Sequence, residues 1–408
     1  MRVTYLHQYF NTPAMPGGTR SYEMARRLVA MGHEVNLVTS WRENDEKKGW
    51  FETDESGIRV HWLPIPYSNN MSFTQRVRAF VRFAISAAGK AASIDSDVVF
   101  ASSTPLTISI PGMYASFYRQ IPMVFEVRDL WPEVPIAMGA LNNFFLKWLA
   151  RKLELATYKR ASAVVALSDG MKAGVLATGY APEIIETVPN SCDLDGFKPD
   201  PIAGATYRAV EGLPQEPLLV TYAGTFGRVN GVSYIVNLAT ALRGDGRFYF
   251  LLVGAGAEKK TIVALAEESG VLNFNLRIID EVTKECMPNV LAATDIAIST
   301  IIPSTVLEMN SANKFFDGLS AGCCMAVNYG GWQAELIQER EAGLRLDRDV
   351  IKAANQLKAL ADNPARLAKA KIAAREIGER QFSRDDLASR LEEILIRAIE
   401  TGLDVRKP

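Results

Sequence analysis

Glycines stand at points of the chain where a strand-like pattern gives way to a helix-like one. Gly17 and Gly18 follow the first apolar run and precede Thr19 and Arg20. Glycine lets the backbone approach a ligand closely, and the first turn of a helix offers unpaired amide donors to a phosphate. An ordinary glycine turn explains these residues as well. The spacing is not the GxGxxG of dinucleotide-binding loops, which argues against a nicotinamide enzyme.

The second half of the chain repeats the arrangement. Gly224 and Arg228 follow a strand-like run, and Gly254 follows the next one. An arginine beside a glycine loop suits a pyrophosphate, because it donates charge-assisted hydrogen bonds. A glycine turn with a solvated arginine remains the alternative.

Residues 308–322 hold the densest group of polar side chains in the sequence. Lys314 and Asp317 are three apart and share one face of a predicted helix. Such a face presents a cation for a phosphate beside a carboxylate for ribose hydroxyls. A surface ion pair is the plainer alternative. The neighbouring polar candidates are Glu308, Asn310 and Asn313.

Composition narrows the class of protein. The chain has 408 residues, 48% hydrophobic and 22% charged, which predicts a globular protein of two domains. A formal net charge of -1 gives no general attraction to nucleic acid. Four cysteines form no CxxC pair and no cluster with the three histidines, so we expect reduced packing residues of a cytoplasmic protein. No segment is long and apolar enough to predict a transmembrane helix or a signal peptide.

Strand-like runs alternate with helix-like ones through both halves, which predicts two Rossmann-like α/β domains with parallel sheets facing across a cleft. We predict an N-terminal domain over 1–198, a C-terminal domain over 199–383, and a linker over 198–217, which is rich in proline and glycine. A capped helix is predicted from residue 384, and we expect residues 384–408 to join the N-terminal domain.

Two predicted helices of the first half combine apolar and basic residues. The helix over 73–92 places Phe73, Val77, Phe80, Val81, Ala84, Ile85 and Ala88 along one side, with Arg78 and Arg82 beside them. The helix over 142–160 repeats the mixture less cleanly. Such helices either pack in a core or lie on an anionic membrane surface.

Taken together, these segments resemble glycosyltransferase family 4, retaining enzymes of the GT-B fold, and particularly its bacterial O-antigen and capsule members. The likeness extends over nearly the whole chain. The motifs that carry it are Gly17-Gly18, residues 126–133, Val188-Pro189-Asn190, residues 224–231, Gly254-Ala255-Gly256, residues 313–317 and Gln381-Phe382-Ser383.

The resemblance implies roles for the candidates above. The loop with Gly17, Gly18, Thr19 and Arg20 would lie against the donor diphosphate, and Gly224, Gly254 and Asn313 would line the same donor site. Arg228 and Lys314 would clamp the diphosphate, and Asp317 would bind the ribose. Met309 stands where the family usually has a first glutamate, so the donor-sugar contact would come from Glu308, Asn310 or backbone amides. Asn230 replaces a lysine that is common in the family.

The segment 126–133 lies where many relatives have a histidine and an aspartate near the reaction centre. Here the residues are Arg128 and Asp129, with Glu126 before them. A guanidinium cannot serve as a base, so we interpret Arg128 as binding a phosphate or sugar and Asp129 as orienting the acceptor. A structural Arg–Asp pair is the alternative.

The resemblance further implies a front-face reaction in which the leaving diphosphate takes the acceptor proton, without a metal or other cofactor. The expected donor is a UDP-sugar, carrying an N-acetylhexosamine or its 6-deoxy form. The expected acceptor is a polyprenyl diphosphate-linked saccharide at the cytoplasmic surface of the inner membrane, and no nucleic acid is expected as a partner. The alternatives are a nucleotide-sugar epimerase and a non-catalytic scaffold subunit that binds a nucleotide sugar.

Overall fold

A computed structural model of the chain describes residues 1–15, 17–43, 46–67 and 71–404, with residues 73, 403 and 404 described through their backbone alone. Pro16, which precedes the first glycine pair, lies outside this description. So do residues 405–408 at the end of the predicted C-terminal helix.

The N-terminal half forms an eight-stranded sheet in the order β3-β4-β2-β1-β5-β6-β7-β8. Its strands are β1 (Arg2–Leu6), β2 (Glu34–Trp41), β3 (Phe51–Glu55), β4 (Ile58–Pro64), β5 (Val98–Ser102), β6 (Met123–Val127), β7 (Ala163–Ala166) and β8 (Ile184–Thr187). Its helices are α1 (Arg20–Ala30), α2 (Phe73–Ser93), α3 (Ser109–Arg119), α4 (Glu133–Ala137), α5 (Phe144–Arg160) and α6 (Asp169–Ala177). All neighbouring strands are parallel except β3 and β4, which pair antiparallel at the edge.

The C-terminal half forms a six-stranded parallel sheet in the order β11-β10-β9-β12-β13-β14, which is the doubly wound Rossmann order. Its strands are β9 (Leu218–Ala223), β10 (Phe248–Val253), β11 (Leu276–Ile279), β12 (Ile296–Ser299), β13 (Cys324–Val327) and β14 (Gly343–Arg345). The helices of this half are α7 (Pro201–Val210), α8 (Ser233–Ala241), α9 (Lys259–Glu268), α10 (Met287–Ala292), α11 (Asn313–Ser320), α12 (Trp332–Glu339), α13 (Val350–Ala361) and α14 (Pro364–Gln381). The predicted fold class, α/β with two mostly parallel sheets, is confirmed.

The last helix, α15 (Arg384–Asp404), leaves the C-terminal half and packs on the first sheet. Leu387, Leu391 and Leu395 are buried in one cluster with Val3 and Tyr5 of β1. The apolar face of α15 therefore completes the layer of helices on one side of that sheet.

The structure differs from the predicted linker. Residues 198–217 contain helix α7, which packs against α10 in the C-terminal half. Arg208 of α7 is buried and donates to the carbonyl oxygen of Ala293 and to the carboxylate of Asp295. Prolines and glycines therefore flank a packed helix in this segment. The chain crosses between the halves before α7, after β8.

Helix α2 also differs from prediction. Its buried side chains include Phe83, Ala84, Ala87 and Ala91, which face the core, whereas Ile85 is 68% exposed. The predicted apolar side of α2 included residues of both faces. The sequence does not distinguish alanines on the buried face from larger apolar residues on the exposed face. The side chain of Phe73 lies outside the described residues.

Candidate active site

A cavity of about 390 Å³ lies between the two sheets, at the carboxyl ends of their strands. Both halves contribute to its wall. The predicted residues that line it are Gly17, Gly18, Thr19, Arg20, Gly224, Gly254, Asn313, Lys314 and Asp317.

The glycine pair after β1 faces helix α11 across the cavity. Gly17 has φ +117°, a conformation that favours glycine. A Cβ atom on Gly18 would lie 2.7 Å from the side-chain nitrogen Nδ2 of Asn313, a residue of the opposite half. No side chain larger than hydrogen fits at residue 18 without displacing Asn313.

Two helices begin at this cavity without a side-chain cap. Thr19 precedes α1 and Ala312 precedes α11, and neither forms a capping hydrogen bond. The first turns of both helices therefore keep amide donors, together with the positive ends of their dipoles. An anion in the cavity can accept from these amides.

Lys314 supplies a cation in the first turn of α11. Its ammonium group donates to Asn230 Oδ1 at 3.0 Å and lies 4.7 Å from the centre of the Tyr222 ring. No carboxylate forms an ion pair with it among the described residues. Burial lowers the pKa of Lys314 to about 8. A partly buried cation whose partners among the described residues are neutral is suited to binding an anionic ligand.

The loops after β9 and β10 approach each other closely. Gly224 and Gly254 both line the cavity, and a Cβ atom on Gly254 would collide with the carbonyl oxygen of Gly224. Glycine at residue 254 is therefore required by the contact between the two loops.

Arg228 lies at the rim and not in the cavity wall. It begins a 3-10 turn (Arg228–Asn230) and is exposed, with no ion-pair partner in the part of the chain that the structure describes. Its guanidinium is therefore unpaired and can reach a ligand that enters the cleft.

Asp317 has a partner that the sequence did not reveal. Lys284 donates to both carboxylate oxygens of Asp317, at 2.8 and 2.9 Å, and also lines the cavity. Lys284 follows β11, at the same edge of the sheet as the glycine loops. A search for polar residues just after each strand would have found it.

Arg20 and Glu126 form a buried pair behind the cavity. The Arg20 guanidinium donates to Glu126 at 2.8 and 3.0 Å, and to the carbonyl oxygens of Val188 and Pro189 at 2.8 and 2.5 Å. The Arg20 guanidinium therefore has its counter-charge and its hydrogen-bond acceptors within the protein. Glu126 is completely buried and also accepts from Ser102, so it cannot touch a substrate. The structure places both side chains in support of the cavity, which differs from the predicted contact with donor and reactants.

Arg128 and Asp129 lie at the end of β6 without pairing to each other in the ion-pair geometry of the described residues. Arg128 donates to His7 Nε2 at 3.0 Å, and His7 Nδ1 lies 2.8 Å from the Ser21 hydroxyl. Burial lowers the pKa of His7 well below its ordinary value, and Arg128 adds to this. His7 is therefore a neutral acceptor that holds Arg128. The sequence analysis missed His7 as a partner.

Asp129 has a raised proton affinity. Burial raises the pKa of its carboxyl to about 6, and the nearby Arg128 partly opposes the change. A carboxyl with a pKa near neutrality can orient or accept a proton from a hydroxyl group.

Glu308 and Asn310 do not line the cavity. Glu308 lies 3.6 Å from the Arg348 guanidinium, and the Asn310 carbonyl oxygen accepts from Trp332 at 2.9 Å. The side chain of Met309 packs in the hydrophobic cluster of the N-terminal half, and its carbonyl oxygen accepts from Ser168. This turn joins the two halves.

Asp193 and Asp195 have the D-x-D spacing of metal-dependent transferases, and Asp193 has partners within the protein. Asp193 pairs with Arg384 at 2.7 Å and accepts from the Gly196 amide. In the described ranges of the chain, no group of three or more His, Cys, Asp and Glu side chains could hold a metal ion.

Two Rossmann-like domains with a ligand cleft at their facing strand ends define the GT-B class of glycosyltransferases. Solved structures with this fold cover almost the whole chain. Sucrose-phosphate synthase from Thermosynechococcus elongatus covers 98% of it with a TM-score of 0.76 and 17% identity, and 99% of that chain is matched. HepE of Anabaena, in complex with UDP and glucose, covers 97% with a TM-score of 0.72 and 16% identity, and 100% of that chain is matched.

Sequence comparisons find similar glycosyltransferases. Residues 17–191 match the glycosyl transferase 4-like domain. The chain is 23% identical over 283 residues to the putative colanic acid biosynthesis glycosyl transferase WcaI of Escherichia coli, covering 64% of this chain and 68% of that protein. It is 25% identical over 303 residues to a GDP-mannose-dependent α-(1-6)-phosphatidylinositol monomannoside mannosyltransferase of Mycobacterium tuberculosis, covering 73% and 75%. The chain is a glycosyltransferase, and its matched segment is similar to the family 4 domain that the sequence analysis predicted.

Proposed function

We propose that this glycosyltransferase is a retaining enzyme of surface-polysaccharide synthesis. It transfers an N-acetylhexosamine or its 6-deoxy form from a UDP-sugar to a polyprenyl diphosphate-linked saccharide. The observation that carries this proposal is Lys314, a partly buried cation without a carboxylate partner among the described residues, in the wall of a cavity where two uncapped helices begin. A sugar-nucleotide diphosphate supplies the negative charge that this arrangement lacks.

The leaving diphosphate is the group that the cavity is arranged to stabilise. As the sugar–phosphate bond breaks, negative charge grows on the β-phosphate oxygen. Lys314, Arg228 and the first amides of α11 stabilise that charge without reorganising. Cations of the protein thereby replace a divalent metal, and the reaction proceeds without a cofactor.

The acceptor hydroxyl approaches from the N-terminal side. Arg128, held by neutral His7, binds a phosphate or sugar oxygen, and Asp129 orients the hydroxyl that attacks. The departing diphosphate takes the proton from that hydroxyl on the same face of the sugar, which retains the anomeric configuration. Asp129 thus positions the acceptor, and the diphosphate acts as the base.

Two relatives support different nucleotides. HepE was solved with UDP, and the mycobacterial mannosyltransferase is GDP-mannose-dependent by name. The C-terminal domain of this chain is the part that would select the base. We favour UDP and include GDP-sugars in the test.

A surface of exposed apolar side chains supports attachment to the inner membrane from the cytoplasmic side. It is formed by three neighbouring helices, α2, α3 and α5. Its exposed residues are Val81, Ile85, Ile110, Tyr114, Phe117, Tyr118, Phe144, Phe145, Trp148 and Leu149. We call this the aromatic face. Phe144 is 84% exposed and Phe117 is 67% exposed, which is unusual for rings that have no ligand to bury them.

Cations accompany the aromatic face. Arg78 and Arg82 lie on the exposed side of α2, and Lys147, Arg151 and Lys152 belong to α5. Aromatic rings suit the interfacial region of a bilayer, and each cation near an anionic surface contributes about 1 kcal/mol. Among the described helices, none has the length and apolar character needed to cross a bilayer.

The reaction is tested with purified chain, a panel of UDP- and GDP-sugars and a polyprenyl diphosphate-linked saccharide. We expect mass spectrometry to find one extended product with a UDP-sugar, and NMR to show the anomeric configuration of the donor in that product. A Lys314→Gln variant should form almost none. An inverted configuration would overturn the retaining assignment, and tight donor binding without any turnover would favour the scaffold alternative.

The membrane assignment has its own test. We expect sedimentation with vesicles that contain phosphatidylglycerol, and replacement of Phe144 and Phe117 by serine should weaken it at least tenfold, because two exposed rings no longer insert. The exposed pair Ile202→Ser and Val210→Ser, on α7 of the other domain, is the matched control. Equal sedimentation of all variants would contradict this part of the proposal.

A further inference from the structure

A second group of unpaired cations lies in the N-terminal domain, outside the donor cavity. Arg42 follows β2 and Arg76 belongs to the first turns of α2. The Arg42 guanidinium lies 6.0 Å from the centre of the ring of Tyr9, which follows β1, and the Tyr67 ring lies 4.8 Å from it. Arg76 is near enough for its charge to act on the Tyr9 phenol. The carboxyl ends of two neighbouring strands therefore bring these residues together.

Arg42 is a partly buried guanidinium that forms no ion pair with a carboxylate of the described residues. Burial lowers its pKa, which shows that its charge is costly to keep in this position. Its hydrogen-bond partner is the neutral side chain of Asn11. Glu43 is the carboxylate that acts on it most strongly, yet no ion pair joins the two in the described residues.

Buried polar atoms without partners are found on two of these residues and on Gln8, which precedes Tyr9 in the chain. The Nε atom of Arg76 and the hydroxyl of Tyr9 are both buried and have no hydrogen-bond partner among the described residues. Burial raises the pKa of the Tyr9 phenol, Tyr67 adds to this, and Arg42 and Arg76 oppose it. Gln8, which is 1% exposed, also leaves its amide nitrogen and oxygen unpaired. Buried polar groups are nearly always paired, so several unpaired ones in one place indicate a missing ligand.

We propose that Arg42, Arg76 and the Tyr9 hydroxyl bind the phosphate or diphosphate group of the acceptor. Two guanidinium groups and one hydroxyl supply donors, and none of them is paired with a carboxylate of the described residues, which is the chemistry that binds a phosphate ester. That the bearer of this phosphate is the acceptor rests on the function proposed above.

The place of this site agrees with such an acceptor. On one side, Asn11 contacts Arg42 and also donates to the carbonyl oxygen of Gly18 at 3.2 Å, so the site adjoins the glycine loop of the donor cavity. On the other side, α2 runs from Arg76 to Ile85 of the aromatic face, a rise of about 14 Å at 1.5 Å per residue. A diphosphate held here would have its lipid directed to the membrane and its sugar to the cleft.

The test uses the full-length chain and calorimetric titration with geranyl diphosphate, a soluble prenyl diphosphate. We make the titration in a Lys314→Gln/Arg228→Gln background, which removes the two cations of the donor site that have no carboxylate partner among the described residues. Arg42→Gln and Arg76→Gln should each weaken binding about tenfold or more, and together about a hundredfold, as expected for hydrogen bonds between charged groups. Tyr9→Phe should weaken it about threefold. The matched control is Arg59→Gln, an exposed arginine of the same domain.

Four outcomes would overturn the proposal. The first is no binding of geranyl diphosphate by the chain, and the second is equal binding by the parent and by the Arg42→Gln/Arg76→Gln variants when circular dichroism shows all of them folded. The third is that the arginine variants bind phosphatidylglycerol vesicles more weakly but bind geranyl diphosphate as the parent does. In that case these arginines would be contacts of the membrane surface. The fourth is equally tight binding of inorganic phosphate.

Failure of the proposed function gives a different result. In that case no sugar nucleotide is consumed by the unmodified chain, while geranyl diphosphate binding still depends on Arg42 and Arg76.

Discussion

Arg20 and Lys314 occupy corresponding places in the two domains. Each lies in the first turn of a helix that starts at the cleft, close to glycines, and each is a cation in the cavity wall. Arg20 donates its hydrogen bonds to Glu126 and two backbone carbonyls, whereas the partners of Lys314 among the described residues are neutral.

The difference between these cations lies in their partners and not in their sequence motifs. Arg20 ties β6 and the segment after β8 to the helix that follows the glycine pair. Lys314 keeps its charge for a ligand. A basic residue after a glycine loop is therefore structural or functional according to whether a carboxylate from a distant strand reaches it.

The largest effect we expect comes from breaking the structural pair. Glu126→Ala would leave the Arg20 charge buried without a counter-charge, and the free energy of unfolding should fall by about 3–5 kcal/mol. Urea unfolding followed by circular dichroism measures this. Glu186→Ala, which removes an exposed ion pair with Arg397, is the control and should cost no more than about 1 kcal/mol. Equal losses in the two variants would contradict the structural role of Glu126.

The opposite behaviour is expected of Lys314. Lys314→Gln should lower the rate of sugar transfer about 10²–10³-fold, because one preorganised donor to the leaving group is lost. Its free energy of unfolding should stay the same or rise, since a buried cation is removed. Steady-state kinetics and urea unfolding on the same preparation test both statements. Lys260→Gln, an exposed lysine on α9, should change neither. A clear loss of stability in Lys314→Gln would make this lysine structural too.

The pH dependence sharpens the comparison, because a lysine titrates in the accessible range and an arginine does not. With a pKa of about 8, Lys314 loses its charge as the pH rises, and kcat/KM for the donor should fall about tenfold per pH unit above 8. Lys314→Arg should abolish that decline, because arginine stays charged. A pH profile that remains flat to pH 9.5 in the unmodified enzyme would contradict the assignment.

The contribution of Lys314 to stability should increase with pH, whereas its contribution to kcat/KM should decrease. Between about pH 8 and the ordinary pKa of lysine, the unfolded chain binds a proton at residue 314 that the folded chain has released. The contribution of Lys314 to the free energy of unfolding therefore increases with pH in this range. The difference between the parent and Lys314→Gln in urea unfolding, measured at pH 7 and at pH 9.5, isolates this contribution.

The smallest effect concerns Lys284, which combines both kinds of behaviour. It pairs with Asp317 and is partly exposed in the cavity wall. Lys284→Gln should raise the KM for the donor by about two- to fivefold, because a partly exposed ion pair contributes less than about 1 kcal/mol. Lys352→Gln, at a surface contact with Asp347, is the control. A loss of a hundredfold would mean that Lys284 contacts the diphosphate itself.

Much of the fold could be predicted from the sequence, because parallel strands buried on both faces appear as continuous apolar runs. Strands β10 and β13 are continuous apolar runs of this kind. The predicted linker was less successful, since a helix such as α7 can begin directly after a proline that looks like a linker residue.

The candidate site was predicted in part. The residues that follow strands, Gly17, Gly18, Gly224 and Gly254, lie together because the carboxyl ends of parallel strands share one edge. Lys284 was not predicted, because a lone lysine in a loop carries no motif. Arg20 and Glu126 were assigned to the substrate, because sequence does not show which side chains face each other across a sheet.

What the sequence by itself determined is the resemblance to glycosyltransferases, the two-domain architecture and the loops that meet at the cleft, since strand periodicity and glycine spacing are local properties of the chain. What only the tertiary structure decided is which charges are already neutralised. Residues 20 and 126 are far apart in the chain, and so are residues 284 and 317, yet each pair is in contact. Whether a charge is neutralised depends on distances between side chains that only folding brings together. This is the difference between Arg20, which is paired within its domain, and Lys314, which can bind a ligand.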